Sequence, residues 1–241
     1  MGGSIVNDFG INASTLPKQN AWSYSSVEQH DKCPAVIRFR KIDRLPEPKS
    51  EHLVRGLSAH EQVAWYLTHG TLPDGKAPLF DYGWQPFFNG LRLRPGTLSM
   101  EHQIAFDKEW NEVPWFDKRA WLRVVIDAVH SHGSPLHVDV FEWKTGKQYP
   151  THEKQGRLYA LAGLLKTQPG TVINVRVRYL DRFNEGLDFG PFTHDQLEGL
   201  KNEFTDFAKD FLNDDLYPAK PNRYCGYCHF RKSNSGPCTF G

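Results

Sequence analysis

Three side chains near the middle of the sequence have the types and spacing of a metal-dependent hydrolytic site. Asp127 interrupts an apolar stretch, and Glu142 and Lys144 stand two residues apart in the next one. Residues two apart in a strand project from one face, and a hairpin would bring Asp127 beside the pair. Two carboxylates offer hard oxygen ligands to Mg²⁺ or Mn²⁺, which activate water, while Lys144 would orient that water. The alternative is a solvated ion pair, because isolated Glu-x-Lys triplets are common.

Four cysteines form a second candidate site. Cys225 and Cys228 make a Cys-x-x-Cys pair, Cys238 follows, and Cys33 stands far upstream. Because the sequence shows no export signal, reduced thiols that bind a metal are expected rather than disulfides. Structural zinc sites tend to combine two nearby pairs, whereas one distant cysteine completed by three others staples remote segments together. Four thiolates suit either Zn²⁺ or an iron-sulfur cluster, so the ligand types leave both open.

The carboxylates need strands to position them, and the hydrophobic pattern predicts such strands. The period becomes two from Leu98, which predicts strands at about Met100–Trp110, Trp121–His130, His137–Lys144, Thr171–Leu180 and Leu187–Phe192. The turn His132-Gly133-Ser134-Pro135 would join the second and third strands. Helical spacing and capping residues predict helices from Ser25 with Glu28 to about Phe39, Ser50 to His69, Thr151 to Lys166, and Thr193 with Gln196 to Leu212. The expected fold class is α/β, with a mixed central sheet flanked by helices.

Length and composition suit one globular unit. The chain has 241 residues, 39% of them hydrophobic, and we predict a flexible N-terminus over residues 1–22 and a single domain over residues 23–241. Residues 71–96 are rich in Gly, Pro and aromatic side chains, which favours a long loop or an irregular helical insertion. The 29 basic and 28 acidic residues leave a net charge of +1, so a basic surface for nucleic acid must be local.

The expected compartment is the cytoplasm, of a bacterial or a phage-infected cell. The sequence lacks the roughly 20 consecutive apolar residues that would span a bilayer, and it lacks a signal peptide. No membrane partner is therefore expected.

The carboxylate and lysine pattern resembles a known family. Asp127, the segment Glu142-Trp143-Lys144-Thr145-Gly146, and then Gln155 and Tyr159 resemble the PD-(D/E)XK signature of RecB-type nucleases. The resemblance implies a restriction-endonuclease-like core in which Lys144, assisted by Gln155 and Tyr159, positions the water that attacks a phosphodiester. One departure is Glu142, since the family more often has aspartate there.

The same resemblance implies the ligands of the metal. Gly56 followed by His60 is similar to the early-helix pattern of that branch. By this resemblance, one or two Mg²⁺ or Mn²⁺ ions are bound by His60, Asp127, Glu142 and the backbone carbonyl of Trp143. An isolated His60 would otherwise be read as an ordinary helix histidine.

The cysteines resemble those of the iron-staple branch, which includes AddB and a CRISPR-associated exonuclease-like family. The serine-rich segment Ser23–Ser26 that leads into Cys33-Pro34 is similar to the start of that branch. The resemblance implies a 4Fe-4S cluster that fixes the N-terminal helix to the nuclease domain, held by Cys33, Cys225, Cys228 and Cys238. Zn²⁺ at the same four cysteines is the main rival.

DNA is the expected partner. Lys147, Lys154 and Arg157 lie near the predicted site and would contact phosphates without reading sequence. No base-reading motif is present, which favours an exonuclease or end-processing enzyme on single-stranded or opened DNA, in repair, recombination, phage replication or spacer acquisition. A helicase, recombinase or integrase partner and a homo-oligomer remain open. The alternatives are a DNA-binding or assembly module with weak or no cleavage, and a zinc-stabilised structural adaptor.

Overall fold

The computed structural model describes residues 15–73, 75–133 and 136–240, which divide into two compact units. One unit combines residues 15–48 with residues 206–240, and the other is Lys49–Thr205. Residues 1–14 of the predicted flexible N-terminus lie outside the described residues, as do Ser134 and Pro135 of the predicted turn. The carboxylates belong to the second unit and the four cysteines to the first.

The second unit is built on a six-stranded sheet with the order β2-β1-β3-β4-β5-β6. The strands are β1 (Thr97–Phe106), β2 (Glu112–Val113), β3 (Leu122–His132), β4 (His137–Lys144), β5 (Val172–Tyr179) and β6 (Gly186–Phe192). Neighbouring strands are antiparallel except β4 and β5, which are parallel. The predicted α/β class with a mixed sheet is confirmed.

The end of β1 differs from the prediction, because the strand stops at Phe106 rather than Trp110. Asp107 Oδ1 accepts the backbone N–H groups of Glu109 and Asn111 at 3.1 and 2.8 Å, which reverses the chain. Strand β2 follows and was not predicted, since two residues are too few to show alternation.

Helices cover both faces of the sheet. Helix α5 (Thr151–Leu165) packs on one face, where Gly163 permits a close approach: an added Cβ would lie 3.3 Å from Ile173 Cδ1. Helix α3 (Glu51–His69) belongs to an aromatic core on the other face, in which the ring of Trp143 is buried. The two faces meet at the end of β4, where the predicted acidic and lysine residues stand.

The insertion at residues 71–96 is more regular than predicted, because it contains helix α4 (Trp84–Leu93). Trp84, Phe88 and Leu91 lie at helical intervals and are buried, which gives the segment one apolar face. The ring of Phe88 contacts that of Trp143 at 5.7 Å between centroids. The aromatic side chains of α4 therefore form core.

Two predicted helix starts are confirmed by their capping contacts. The Ser50 hydroxyl accepts the Leu53 N–H at 3.2 Å before α3. The Gln196 side chain accepts the Thr193 N–H at 2.9 Å, and helix α6 (Leu197–Asn213) follows.

In the first unit, the predicted continuous helix from Ser25 to Phe39 is wrong. The chain forms α1 (Tyr24–Lys32), is extended at Cys33, and continues as α2 (Pro34–Ile37) and a π-helical turn. The break occurs because a proline disfavours the helical backbone conformation in the residue before it.

The start of α1 also lies upstream of the predicted capping pair, Ser25 with Glu28. Ser26 Oγ accepts the Ser23 N–H at 2.9 Å, so Ser23 caps the helix instead. Within this unit the buried His30 ring lies 2.8 Å from the Asp214 carboxylate, which ties α1 to the segment after α6. In the described ranges, every helix is too short or too polar to cross a bilayer.

Candidate active site

Backbone pairing between β3 and β4 ends where the predicted carboxylates begin. Ala128 and Phe141 are the last paired residues at this end, so Asp127 and Glu142 occupy the next positions. The Asp127 side chain replaces the backbone pairing, because its Oδ2 accepts the Trp143 N–H at 2.7 Å. Asp127 is 7% exposed and Glu142 is 5% exposed. Two buried acids thus lie side by side at the end of the paired region.

Helix α3 brings a histidine to the first carboxylate. His60 Nδ1 lies 3.1 Å from Asp127 Oδ1. One turn earlier, Gly56 lies next to the loop after β4, where an added Cβ would be in van der Waals contact with Thr145 Oγ1 at 3.4 Å. Burial disfavours protonation of the ring, but the hydrogen bond and charge of Asp127 outweigh burial and raise the pKa of His60.

A second network connects Glu142 to α5. The Lys144 ammonium lies 2.6 Å from Glu142 Oε1 and donates to Gln155 Oε1 at 2.8 Å. The Gln155 amide donates to Glu142 Oε1 at 3.2 Å and to the Tyr159 hydroxyl at 2.6 Å. Gln155 and Tyr159 are one helical turn apart, so α5 presents both to the end of β4.

Burial and mutual repulsion set the protonation of these groups. Burial, and then the charge of Asp127, raises the pKa of Glu142 to about 7, although Lys144 opposes the rise. Burial and the charge of Glu142 raise the pKa of Tyr159 well above its ordinary range. Tyr159 is therefore a neutral hydroxyl at physiological pH, and the two carboxylates carry a negative charge that a cation would stabilise.

The turn after Lys144 is held by backbone geometry. Gly146 has φ of 89°, a conformation that glycine adopts without strain, and its N–H donates to Asp181 Oδ2 at 2.7 Å. Asp181 also pairs with Arg55 of α3. The loop is thus tied to the same helix that carries His60.

The predicted phosphate-contacting residues differ in their surroundings. Lys147 is exposed and Lys154 is half-buried. Arg157 pairs with Glu203, to which its Nε and Nη2 donate at 3.0 and 2.5 Å. A phosphate would compete with Glu203 for Arg157, whereas Lys147 projects into solvent.

In the first unit, the four cysteines line one cavity of about 280 Å³. All four are free thiols of intermediate exposure. The backbone N–H of Lys220 points at Cys33 Sγ at 3.4 Å and that of Asn222 at Cys225 Sγ at 3.3 Å. Burial, opposed in part by the Phe230 backbone, raises the pKa of the Cys228 thiol, and the other three cysteines add to the rise. Cys33 thus lies among the three cysteines from the other end of the chain.

A comparison with family models identifies the superfamily of this chain. The model of the PD-(D/E)XK nuclease superfamily matches residues 21–233. The chain belongs to the PD-(D/E)XK nuclease superfamily. A comparison with curated proteins found no match. Members of the superfamily are typically metal-dependent nucleases. The matched residues include the Asp127–His60 pair, the network that connects Glu142 to α5, and three of the four cysteines.

The donor set fits the divalent metals that PD-(D/E)XK nucleases generally use. Asp127 and Glu142 supply carboxylate oxygens and His60 supplies a ring nitrogen, which suits Mg²⁺ or Mn²⁺. The raised pKa of Glu142, caused by burial and by Asp127, marks the point where a bound cation would relieve repulsion. The metal contact of the Trp143 carbonyl stays a prediction.

One acid beside this site was not predicted from the sequence. Glu101 of β1 lies between Met100 and His102, whose partners Ala128 and Ile126 flank Asp127 on β3. The sequence signal was weak, because Ser99, Glu101 and Gln103 read as the polar face of a half-exposed strand. Only the strand register identifies which of these polar positions faces Asp127.

A separate histidine cluster lies further along β3 and β4. Ligand atoms of His130, His132 and Asp139 lie within 4.8 Å of one another. Asp139 already accepts from Arg94 at 2.8 Å and from Arg176 at 3.1 Å. Two guanidinium groups oppose a further cation there, so we assign Asp139 to an ion-pair network with these arginines and His132 rather than to a metal site.

The raised pKa of Glu142 predicts how pH changes the stability of the metal-free protein. A carboxyl with a folded-state pKa near 7 instead of 4.5 holds its proton in the fold when the unfolded chain has lost it. The free energy of unfolding should therefore fall by up to about 3 kcal/mol as pH rises from about 4.5 to 7. Denaturant unfolding in EDTA at several pH values measures this.

The variant Glu142→Gln separates the contribution of Glu142 to this pH dependence from the contributions of other groups. His60, whose pKa is also raised, loses stabilisation in the same direction as pH rises. The variant should flatten the part of the curve that Glu142 causes, and Mn²⁺ should stabilise the wild type more at pH 8 than at pH 5.5. Parallel curves for the two proteins would show that Glu142 does not cause the slope.

Proposed function

We propose that this chain is a divalent-metal-dependent deoxyribonuclease that acts from DNA ends, on single-stranded or opened DNA. The observation that supports it most is the contact of Lys144 with both Glu142 and Gln155, at 2.6 and 2.8 Å, beside the Asp127–His60 pair. A merely solvated Glu-x-Lys pair would not be buried against a second acid.

Each residue of the site has its own proposed role in the reaction. A divalent metal, when bound, stabilises negative charge that develops on a phosphate and promotes ionisation of water. Asp127, Glu142 and His60 hold that metal. Lys144 holds the attacking water in line with the phosphorus and donates to a phosphate oxygen. Gln155 fixes the Lys144 ammonium, and Tyr159 fixes Gln155.

Exposed aromatic rings favour unpaired bases as the substrate. Tyr149, just after the turn that follows Lys144, is 53% exposed, and Trp65 of α3 is 44% exposed. Aromatic rings stack on bases of any sequence, and Lys147 offers a cation for the backbone. An end that is paired would have to be opened first, so we propose a helicase, recombinase or integrase as the partner.

We also propose that the chain belongs to the RecB/AddB-like iron-staple branch, with a 4Fe-4S cluster on Cys33, Cys225, Cys228 and Cys238. A cavity of about 280 Å³ lined by all four thiols, with backbone N–H groups aimed at two of the sulfurs, supports a cluster of several atoms. Free thiols also suit a reducing compartment such as the cytoplasm. Iron and sulfide content, against zinc content, distinguishes the two metals.

Cleavage of matched linear and circular DNA tests the proposed function. We expect Mn²⁺-dependent degradation of end-labelled linear single strands, slower degradation of linear duplex, and no cleavage of a covalently closed single-stranded circle of the same sequence. The reason is that a site reached through an end cannot engage a circle. Time courses on denaturing gels measure this and show the polarity.

The circle is the informative control. If the circle were cleaved as fast as the linear strand, the enzyme would be an endonuclease and not an exonuclease. Binding of linear DNA with no cleavage in Mn²⁺ or Mg²⁺ would support an assembly module instead.

A further inference from the structure

Glu101 occupies a position that the known signature does not include. In the β1–β3 pair, Met100 lies opposite Ala128 and His102 opposite Ile126, which places Glu101 across from Asp127. By the β3–β4 register, Glu142 follows on the other side of Asp127. Three acidic residues therefore occupy one row across three adjacent strands, which are about 5 Å apart.

This row is unfavourable in the absence of a cation. Like charges directly opposite in a sheet destabilise it. Glu101 also has φ of 53°, an uncommon conformation for a residue with a side chain, and the ladder lacks a pair at this position. Charge repulsion and an uncommon backbone conformation thus coincide at Glu101, beside residues that are expected to bind a metal.

The side chain of Glu101 is exposed and therefore open to a ligand. Among the described residues, no lysine or arginine nitrogen lies within ion-pair distance of its carboxylate. Glu142, in contrast, is held by Lys144 at 2.6 Å.

We propose that Glu101 is a third carboxylate ligand of the divalent cation that His60 and Asp127 bind. The inference rests on the proposed function, because it assumes that Asp127 binds a metal. A cation bound between Asp127 and Glu101 would attract both carboxylates and so offset the repulsion between them. It would also account for a glutamate, rather than a neutral side chain, at this strained position.

Mn²⁺ binding to the full chain tests the role of Glu101 independently of DNA cleavage. Glu101→Gln should weaken Mn²⁺ binding at least tenfold in calorimetric titration. The same variant should melt at a higher temperature than the wild type in EDTA, because repulsion of Asp127 is removed, and should gain less from added Mn²⁺. Loss of a residue with only a structural role would not weaken Mn²⁺ binding and at the same time raise the melting temperature in EDTA.

Two variants separate ligation from a general loss of charge. Glu61→Gln removes an equal charge from α3 beside His60, and we expect Mn²⁺ affinity to change less than twofold. Glu101→Asp keeps the charge but shortens the side chain, and it should bind Mn²⁺ more weakly than the wild type. Equal effects of Glu101→Gln and Glu61→Gln, or wild-type affinity in both Glu101 variants, would overturn the proposal.

These outcomes are distinct from a failure of the proposed function. If the wild type binds Mn²⁺ without cutting DNA, and Glu101→Gln loses that binding, the metal ligand is supported and the nuclease is not. If the wild type cuts DNA and Glu101→Gln binds Mn²⁺ normally, the nuclease stands and Glu101 is no ligand.

Discussion

Glu142→Gln and Lys144→Met are each expected to lower the rate of Mn²⁺-dependent DNA cleavage on the order of a thousandfold. Glutamine keeps the shape of Glu142 but removes the anionic oxygen that would bind metal. Methionine keeps much of the Lys144 stem but removes the ammonium that contacts Glu142 and Gln155. Single-turnover rates on a labelled linear single strand measure the chemical step.

The two variants should differ in stability, which separates catalysis from folding. Glu142→Gln should stabilise the metal-free protein at pH 8, because it removes a buried charge, whereas Lys144→Met leaves that charge without its cation. The double variant should lose little more activity than either single one, since both residues act in one unit. Matched controls are Glu109→Gln and Lys108→Met in the exposed loop after β1, which should cut normally. Wild-type rates in either site variant would contradict the assignment.

The parts of the fold that could be predicted are those that local pattern determines. Strands β3 and β4 are antiparallel neighbours separated by only four residues of sequence, so the apolar pattern and the short spacing together indicate a hairpin. The candidate ligands and the lysine followed from that hairpin together with family resemblance. The structure places His60 beside Asp127, and Glu142 beside Lys144.

The remaining features depend on contacts between distant segments. Glu101 resembles any polar strand residue until the β1–β3 register places it opposite Asp127. Arg157 resembles a free cation until α6 brings Glu203 to it, 46 residues later. The helix in the aromatic insertion depends on burial of Phe88 against Trp143, which local sequence does not encode.

Cys225→Ser is expected to remove bound iron and to destabilise the first unit strongly. If four thiolates hold one cluster, the link between Cys33 and the C-terminal cysteines closes a loop of nearly 200 residues. By analogy with a disulfide, closing such a loop stabilises the fold by roughly 5 kcal/mol. The thermal midpoint of that unit should fall by at least about 10 °C. Anaerobic purification, iron and sulfide analysis and the visible spectrum measure cluster loss, and limited proteolysis at rising temperature measures the unfolding of this unit.

The same segment supplies a matched control for the cluster. Tyr227 lies between Cys225 and Cys228 and is 92% exposed, so Tyr227→Ser should keep both the iron and the thermal midpoint. A colourless protein with stoichiometric zinc that is lost in Cys225→Ser would assign the site to Zn²⁺, because a single ion can also be held by four thiolates. Unchanged metal content and stability in Cys33→Ser would contradict a shared site altogether. Cys33 is the more demanding test, since it is the one candidate ligand at the break between α1 and α2, far in sequence from the others, and a site built from the other three cysteines would survive its loss.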